Sequence, residues 1–240
     1  MDYAERAPDR RLAARVACHW RVEAHGPHLV LPDGCMDILF EDGRATLVGT
    51  STVAFSVPPS GPVFGVRFAP GEAFAIAGGA LVDATVELSA WREVAERIAE
   101  GADPVRTVEH RLFAIAPRAT DHRVRRAVDT LLRAPATRVD RLARGLGLSE
   151  RQLERIFTER VGVAPKQLAR TVRLQRVLAL DGTLAARAAA AGFADQAHLA
   201  REVKRLTGLT STALLATAAW PVTMSDSFKR PAPRAATTGA

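Results

Sequence analysis

Two stretches of this chain share one pattern, and that pattern leaves few folds open. G-L-S-E-R-Q-L-E-R-I-F-T-E-R-V-G runs from Gly147 to Gly162, and G-F-A-D-Q-A-H-L-A-R-E-V-K-R-L-T-G runs from Gly192 to Gly208. Ser149 corresponds to Asp195, Leu153 to Leu199, Arg155 to Arg201 and Gly162 to Gly208, each at an offset of 46 residues. Ser and Asp favour helix N-caps, where a side-chain oxygen accepts from the free N–H groups of the first turn. Glycine favours the position just past a helix end, where the backbone turns left-handed. The pattern predicts helices at about 150–161 and 196–207. Each follows an amphipathic segment, ending near Leu146 and Ala191, and a short Gly-containing turn, the signature of a helix-turn-helix.

At ~100° per residue, Leu153, Ile156 and Phe157 share one side of the first helix, and Leu199, Val203 and Leu206 one side of the second. Those faces must pack on the preceding helices. Arg151, Arg155 and Thr158 then point outward, as do Ala197, Arg201 and Lys204. Outward residues near the N-terminal end of such a helix reach base edges in a major groove. Between the copies, A-P-K-Q-L-A-R-T-V-R-L-Q-R-V-L-A-L predicts a long helix with Pro165 in its first turn. Such a helix is roughly 24 Å long. With helix widths added, it spaces two recognition helices about one DNA turn, ~34 Å, apart. Lys166, Arg170, Arg173 and Arg176 add positive charge beside the DNA backbone.

Charge separates the chain into two parts. Residues 1–117 hold 11 Arg against 16 Asp and Glu, a net of −5; residues 118–220 hold 19 Lys and Arg against 9 acids, a net of +10. Of the 33 basic residues 30 are Arg, which suits bidentate contact with phosphate and guanine. A basic helical part beside an acidic one points to double-stranded DNA as partner. A solvated basic surface is the plainer alternative, and binding by DNA shape alone is another.

Ahead of the helices, His28 to about Phe68 reads as short strands broken by turns. Pro32-Asp33-Gly34 and Glu41-Asp42-Gly43 are turn chemistry, and Met36, Ile38 and Phe40 alternate between them. Strands at this spacing predict a β-rich barrel or sandwich with a few helices. One of these helices spans Ser89 to Glu100, with Trp91, Val94, Ala95 and Ile98 on its apolar side. The expected class is α+β with two domains, 1–117 β-rich and 118–220 all-α, followed by a Pro/Ser/Thr/Ala-rich disordered tail at 221–240.

L-A-R-G-L-G-L-S-E-R-Q-L-E-R-I-F, V-G-V-A-P-K-Q-L and A-A-A-G-F-A-D-Q-A-H-L-A-R together resemble the DNA-binding domain of AraC/XylS-type transcriptional regulators, over Arg118 to Leu215. The resemblance implies a cytoplasmic regulator with two helix-turn-helix units on one chain, acting as monomer or homodimer, with DNA and RNA polymerase as partners. Its base-facing positions fall on Arg151, Glu154 and Arg155, and on Gln196, Ala197, Ala200 and Arg201, with Lys204 alongside. Lys166, Arg170 and Arg173 fall near phosphates. Arg to guanine and Gln to adenine are the pairings geometry favours. Glu154 accepts from cytosine or pairs with a neighbouring Arg. Val203 stands where an aromatic usually packs, and Ser211 replaces a frequent Pro.

The N-terminal residues 16–100 resemble a β-rich sensor or dimerisation module of one subgroup of these regulators. An effector pocket there is assigned to Trp20, Asp37, Phe64 and Arg67. Cys18, His19, His25, His28 and Cys35 lie close in sequence, but their spacing matches no standard zinc site, so no metal or cofactor is expected. No apolar run approaches the ~20 residues of a membrane span, and no secretory h-region is seen. G-x-S-x-G, Walker and H-E-x-x-H patterns are absent, so no enzymatic activity is expected. The alternative is a metal-binding cupin-like enzyme, or a metal or redox sensor domain, fused to the DNA-binding part.

Overall fold

Alternating apolar residues in the first half build an antiparallel sheet. The computed structural model describes residues 2–58, 60–115 and 121–217. Its strands are β1 (Asp2–Arg6), β2 (Val16–Ala24), β3 (His28–Val30), β4 (Met36–Glu41), β5 (Arg44–Val48), β6 (Phe55–Val57), β7 (Ser60–Phe68) and β8 (Thr85–Glu87). Six pair in the order β1-β2-β7-β4-β5-β8, and β3 with β6 forms a separate two-stranded ribbon. Asp42 and Gly43 join β4 to β5 with φ of 47° and 71°, the paired left-handed residues of a tight hairpin.

The sheet's two faces are covered by different things. Phe64, Val66 and Phe68 of β7 join Ile38, Phe40 and Leu47 in a core closed by α2 (Arg92–Ala99) and α3 (Pro104–Ala114), after a one-turn α1 (Phe74–Ala77). The other face carries Trp20, Val22 and Val63 beneath the ribbon. Gly65 sits under the Trp20 indole, where any side chain would collide with the ring.

The expected barrel does not close. β1 pairs with β2 and β8 with β5, so the sheet is open. Helices already bury one face, and β8 is three exposed residues, too short to complete a wall. The charged residues of β1 protect the free edge. β1 and β2 also lie ahead of the region that reads as strand from its turns. The boundary at 117 and the tail at 221–240 fall outside the described residues.

The second half is helical: α4 (His122–Arg133), α5 (Val139–Gly145), α6 (Glu150–Val161), α7 (Pro165–Ala179), α8 (Leu184–Ala190), α9 (Gln196–Thr207) and α10 (Ser211–Thr217). Two cores divide it. Val124, Leu131, Leu142, Leu153, Phe157, Leu168 and Val172 form the first. Leu174, Val177, Ala188, Phe193, Leu199, Val203 and Leu206 form the second. Val203 is fully buried, so the smaller residue still fills its place.

Leu31, from the segment after β3, completes that second core. Around it, Gln175 Nε2 donates to the Pro32 carbonyl at 2.7 Å, and the Ala54 N–H donates to the Leu206 carbonyl at 2.7 Å. Thr50 Oγ1 donates to the Val161 carbonyl at 3.0 Å, and Arg125 grips Glu72 with two bonds at 3.0 and 3.1 Å. Gly34, at φ 78°, lies so close to Leu168 that a Cβ would overlap it. The two halves are thus joined through shared core and paired backbone.

His19 ties β2 to α3, its Nε2 3.1 Å from Glu109 Oε1. Burial holds this imidazole below its ordinary 6.5, although Glu109 pulls the other way. The unfolded chain therefore takes up the proton first as pH falls, and acid favours unfolding. The urea midpoint should drop between pH 7 and pH 5.5, with a shallower drop in His19→Gln; equal slopes would contradict this role.

Candidate functional site

The two matched helices form where the repeat places them. Ser149 accepts from the Gln152 N–H at 3.3 Å while Gln152 Oε1 accepts from the Ser149 N–H at 2.9 Å, a reciprocal capping box. Asp195 accepts from the His198 N–H at 2.6 Å. Both helices end on left-handed glycines, Gly162 at φ 91° and Gly208 at φ 71°. Leu153, Phe157 and Val161 anchor α6; Leu199, Val203 and Leu206 anchor α9.

That anchoring leaves Arg151, Glu154, Arg155 and Thr158 exposed on α6, where they line a shallow depression with Ser149 and Gln152. Gln196, Ala197, Ala200, Arg201 and Lys204 are exposed on α9. Among the described residues Arg151, Glu154, Arg155 and Arg201 form no ion pair, so Glu154 does not neutralise its arginine neighbours. Lys204 Nζ donates to the Gly208 carbonyl at the helix end.

The basic residues of α7 are arranged differently from the expected row of phosphate contacts. Lys166 is exposed. Arg170 Nε lies 3.2 Å from Glu202, a buried carboxylate of α9 that Arg205 also approaches at 3.9 Å. Arg173 lies over the Phe193 ring at 5.1 Å, and Arg176 Nη2 donates to the last carbonyls of α4, Leu132 and Arg133, at 2.8 and 2.7 Å. Burial pulls the Arg173 and Arg176 guanidiniums below the ordinary range. These three side chains fix helices to one another. The partner carboxylate Glu202, buried on α9, was the signal that sequence reading did not use.

In the first half, the β3–β6 ribbon and the open sheet enclose a cavity of about 700 Å³. Of the residues assigned to an effector pocket, Trp20, Asp37 and Arg67 line this cavity. Phe64 does not: it is three residues from Arg67 on β7, hence on the opposite face, where it packs 5.9 Å from Phe40 and from His19. Arg67 donates Nε to Asp37 Oδ1 at 3.0 Å and Nη2 to Asp37 Oδ2 at 3.1 Å, and its Nε lies 3.2 Å from Asp33 Oδ2. Trp20 Nε1 donates to the same Asp37 at 3.2 Å. Burial pushes the Asp33 carboxyl above the usual range, against the pull of Arg67.

The cysteines and histidines of this half are dispersed. Cys18 and His19 are neighbours on one strand and so face opposite sides. His25 is exposed, His28 lines the cavity, and Cys35 is buried beside Asp33. Among the described residues no three His, Cys, Asp or Glu side chains are grouped to hold a metal ion. Nor is any described helix long and apolar enough to cross a membrane.

Residues 142–217 match the family model described as a helix-turn-helix domain. The C-terminal half carries a helix-turn-helix domain of the AraC type. Residues 4–86 match a domain of unknown function, DUF6597. None of the curated proteins matches the sequence. Solved structures similar to it include ToxT from Vibrio cholerae, at TM-score 0.47 and 9% identity over 90% of this chain and 98% of that one. Fatty-acid-bound ToxT from strain SCE256 is another, at 0.41 and 12% over 81% and 92%.

The AraC-type match holds both capped helices and all of α7. Arg170→Ala removes the nearer partner of buried Glu202, leaving only the more distant Arg205, and should lower stability by about 2 kcal/mol in urea denaturation. Lys166→Ala should leave the midpoint unchanged. A full midpoint for Arg170→Ala would contradict the structural role.

Proposed function

We propose that the protein is a sequence-specific DNA-binding transcriptional regulator built of two units, 1–117 and 118–220. In this reading α6 and α9 enter successive major grooves. Arg151, Glu154 and Arg155 read one half-site; Gln196, Ala197, Ala200 and Arg201 read the other, with Lys204 and Lys166 on the backbone. The observation that carries it is the pair of exposed arginine-bearing faces, each at the N-terminal part of a helix anchored to the same α7. Exposed arginines without carboxylate partners keep their donors for guanine.

The effector reading rests on the cavity and its walls. Val53 and Phe55 line it on either side of Ala54, whose N–H holds the Leu206 carbonyl of α9. Val30 lines it next to Leu31, which fills the second helical core. A ligand that changes the ribbon's position therefore acts on α9, since both ends of the contact are shared. RNA polymerase is the downstream partner in this scheme.

Arg201→Ala should cost ~1–3 kcal/mol on the preferred site and relax the preference for one base pair there. Arg155→Ala should do the same at the other half-site. Gel-shift titration on the preferred duplex and on single-base variants checks both. Equal weakening on every sequence would favour binding by DNA shape, and unchanged binding after both substitutions would contradict the two-helix reading.

A further inference from the structure

The cavity of the first half has a charge pattern that selects its occupant. Its walls are apolar over most of their extent, with Val22, Leu39, Val48, Phe55 and Val63 among them. Three carboxylates, Asp37, Glu41 and Asp83, also line it, against one guanidinium, Arg67. That guanidinium is buried and lies between Asp33 and Asp37, at 3.2 and 3.0 Å. An anionic head group entering here would meet carboxylates and find the cation already engaged.

We infer that this cavity takes a small apolar organic cation, its ammonium head against Trp20 and Asp37 and its hydrocarbon body beneath the ribbon. The inference rests on the cavity being the effector site. A cation leaving water needs compensation at once. The excess of acidic groups provides it: Asp37, Glu41 and Asp83 stand against the single lining guanidinium, and an ammonium charge needs no free acceptor on Asp37, whose oxygens already receive Arg67 and Trp20. Trp20 adds the negative face of an indole, the aromatic that best attracts ammonium groups. Gly65 makes this ring position possible, since it is the residue on which the indole rests. Glu41, exposed at the end of β4, supplies long-range attraction at the rim. The volume of about 700 Å³ lies within the range of small-molecule sites.

The test is calorimetric titration of the full chain with octyltrimethylammonium, octanoate and 1-octanol, which share one alkyl chain and differ in head charge. The ammonium should bind about tenfold or more tightly than octanoate, a difference of about 1.4 kcal/mol. Glu41→Gln should weaken the ammonium severalfold while leaving the urea midpoint and octanol affinity unchanged; Asp37→Asn, if it folds, should weaken it further. Octanoate binding as tightly as the ammonium would overturn the charge assignment and leave the effector site standing. Failure of all three to bind would overturn both. An ammonium preference untouched by Glu41→Gln and by Asp83→Asn would place that preference outside this cavity and overturn the inference as well.

Discussion

Helix α7 has two apolar ends that no single partner could bury. Leu168 and Val172 sit in the core beneath α6, and Leu174 and Val177 in the core beneath α9. One continuous helix of 15 residues therefore belongs to two hydrophobic cores. Each core is small, and each depends on the other through the rod that crosses both. Arg170, Arg173 and Arg176 add polar ties along the rod, to Glu202, to the Phe193 ring and to the end of α4. The relative placement of the exposed faces of α6 and α9 follows from this sharing, because neither helix can turn without disturbing packing on α7.

The first half attaches to the same rod. Pro32 accepts from Gln175, Gly34 admits Leu168, and Leu31 fills the second core directly. The segments that make these contacts run into the ribbon over the sheet, whose inner side walls the cavity. The sheet's helix-covered face is a conventional core; its other face is left partly open, with a buried arginine held by two aspartates. A fold that merely needed stability could have filled this space with apolar side chains, since a buried ion pair often contributes little net stability. Keeping a charged floor under an apolar chamber is consistent with recognition of a ligand.

The helical half was readable because its signals are local. Ser149 and Asp195, Gly162 and Gly208, and the i, i+3, i+4 spacing of Leu199, Val203 and Leu206 all act within a few residues, and the helices end where those residues predict. The sheet was less so. Pro8-Asp9 and Gly26-Pro27 flank β2 and were open to reading, but the ribbon pairs His28 with Val57, a long-range match no local pattern announces. Strand parity could have corrected one site residue: Phe64 and Arg67, three apart on a strand, cannot share a face. The structural duty of Arg170 was hidden because it depends on Glu202, 32 positions away in sequence, being buried. Leu31 as part of a helical core was beyond any sequence pattern, since its neighbours come from the other half of the chain.

The central claim is that one chain holds two recognition helices at a separation fixed by α7. The measurement that tests it most directly is selection of bound duplexes from a random library by the full-length protein. Fixed spacing between two short motifs, about one helical turn of DNA apart, is the result expected. Enrichment of a single motif, or of two motifs at freely varying spacing, would contradict a rigid pair of reading heads.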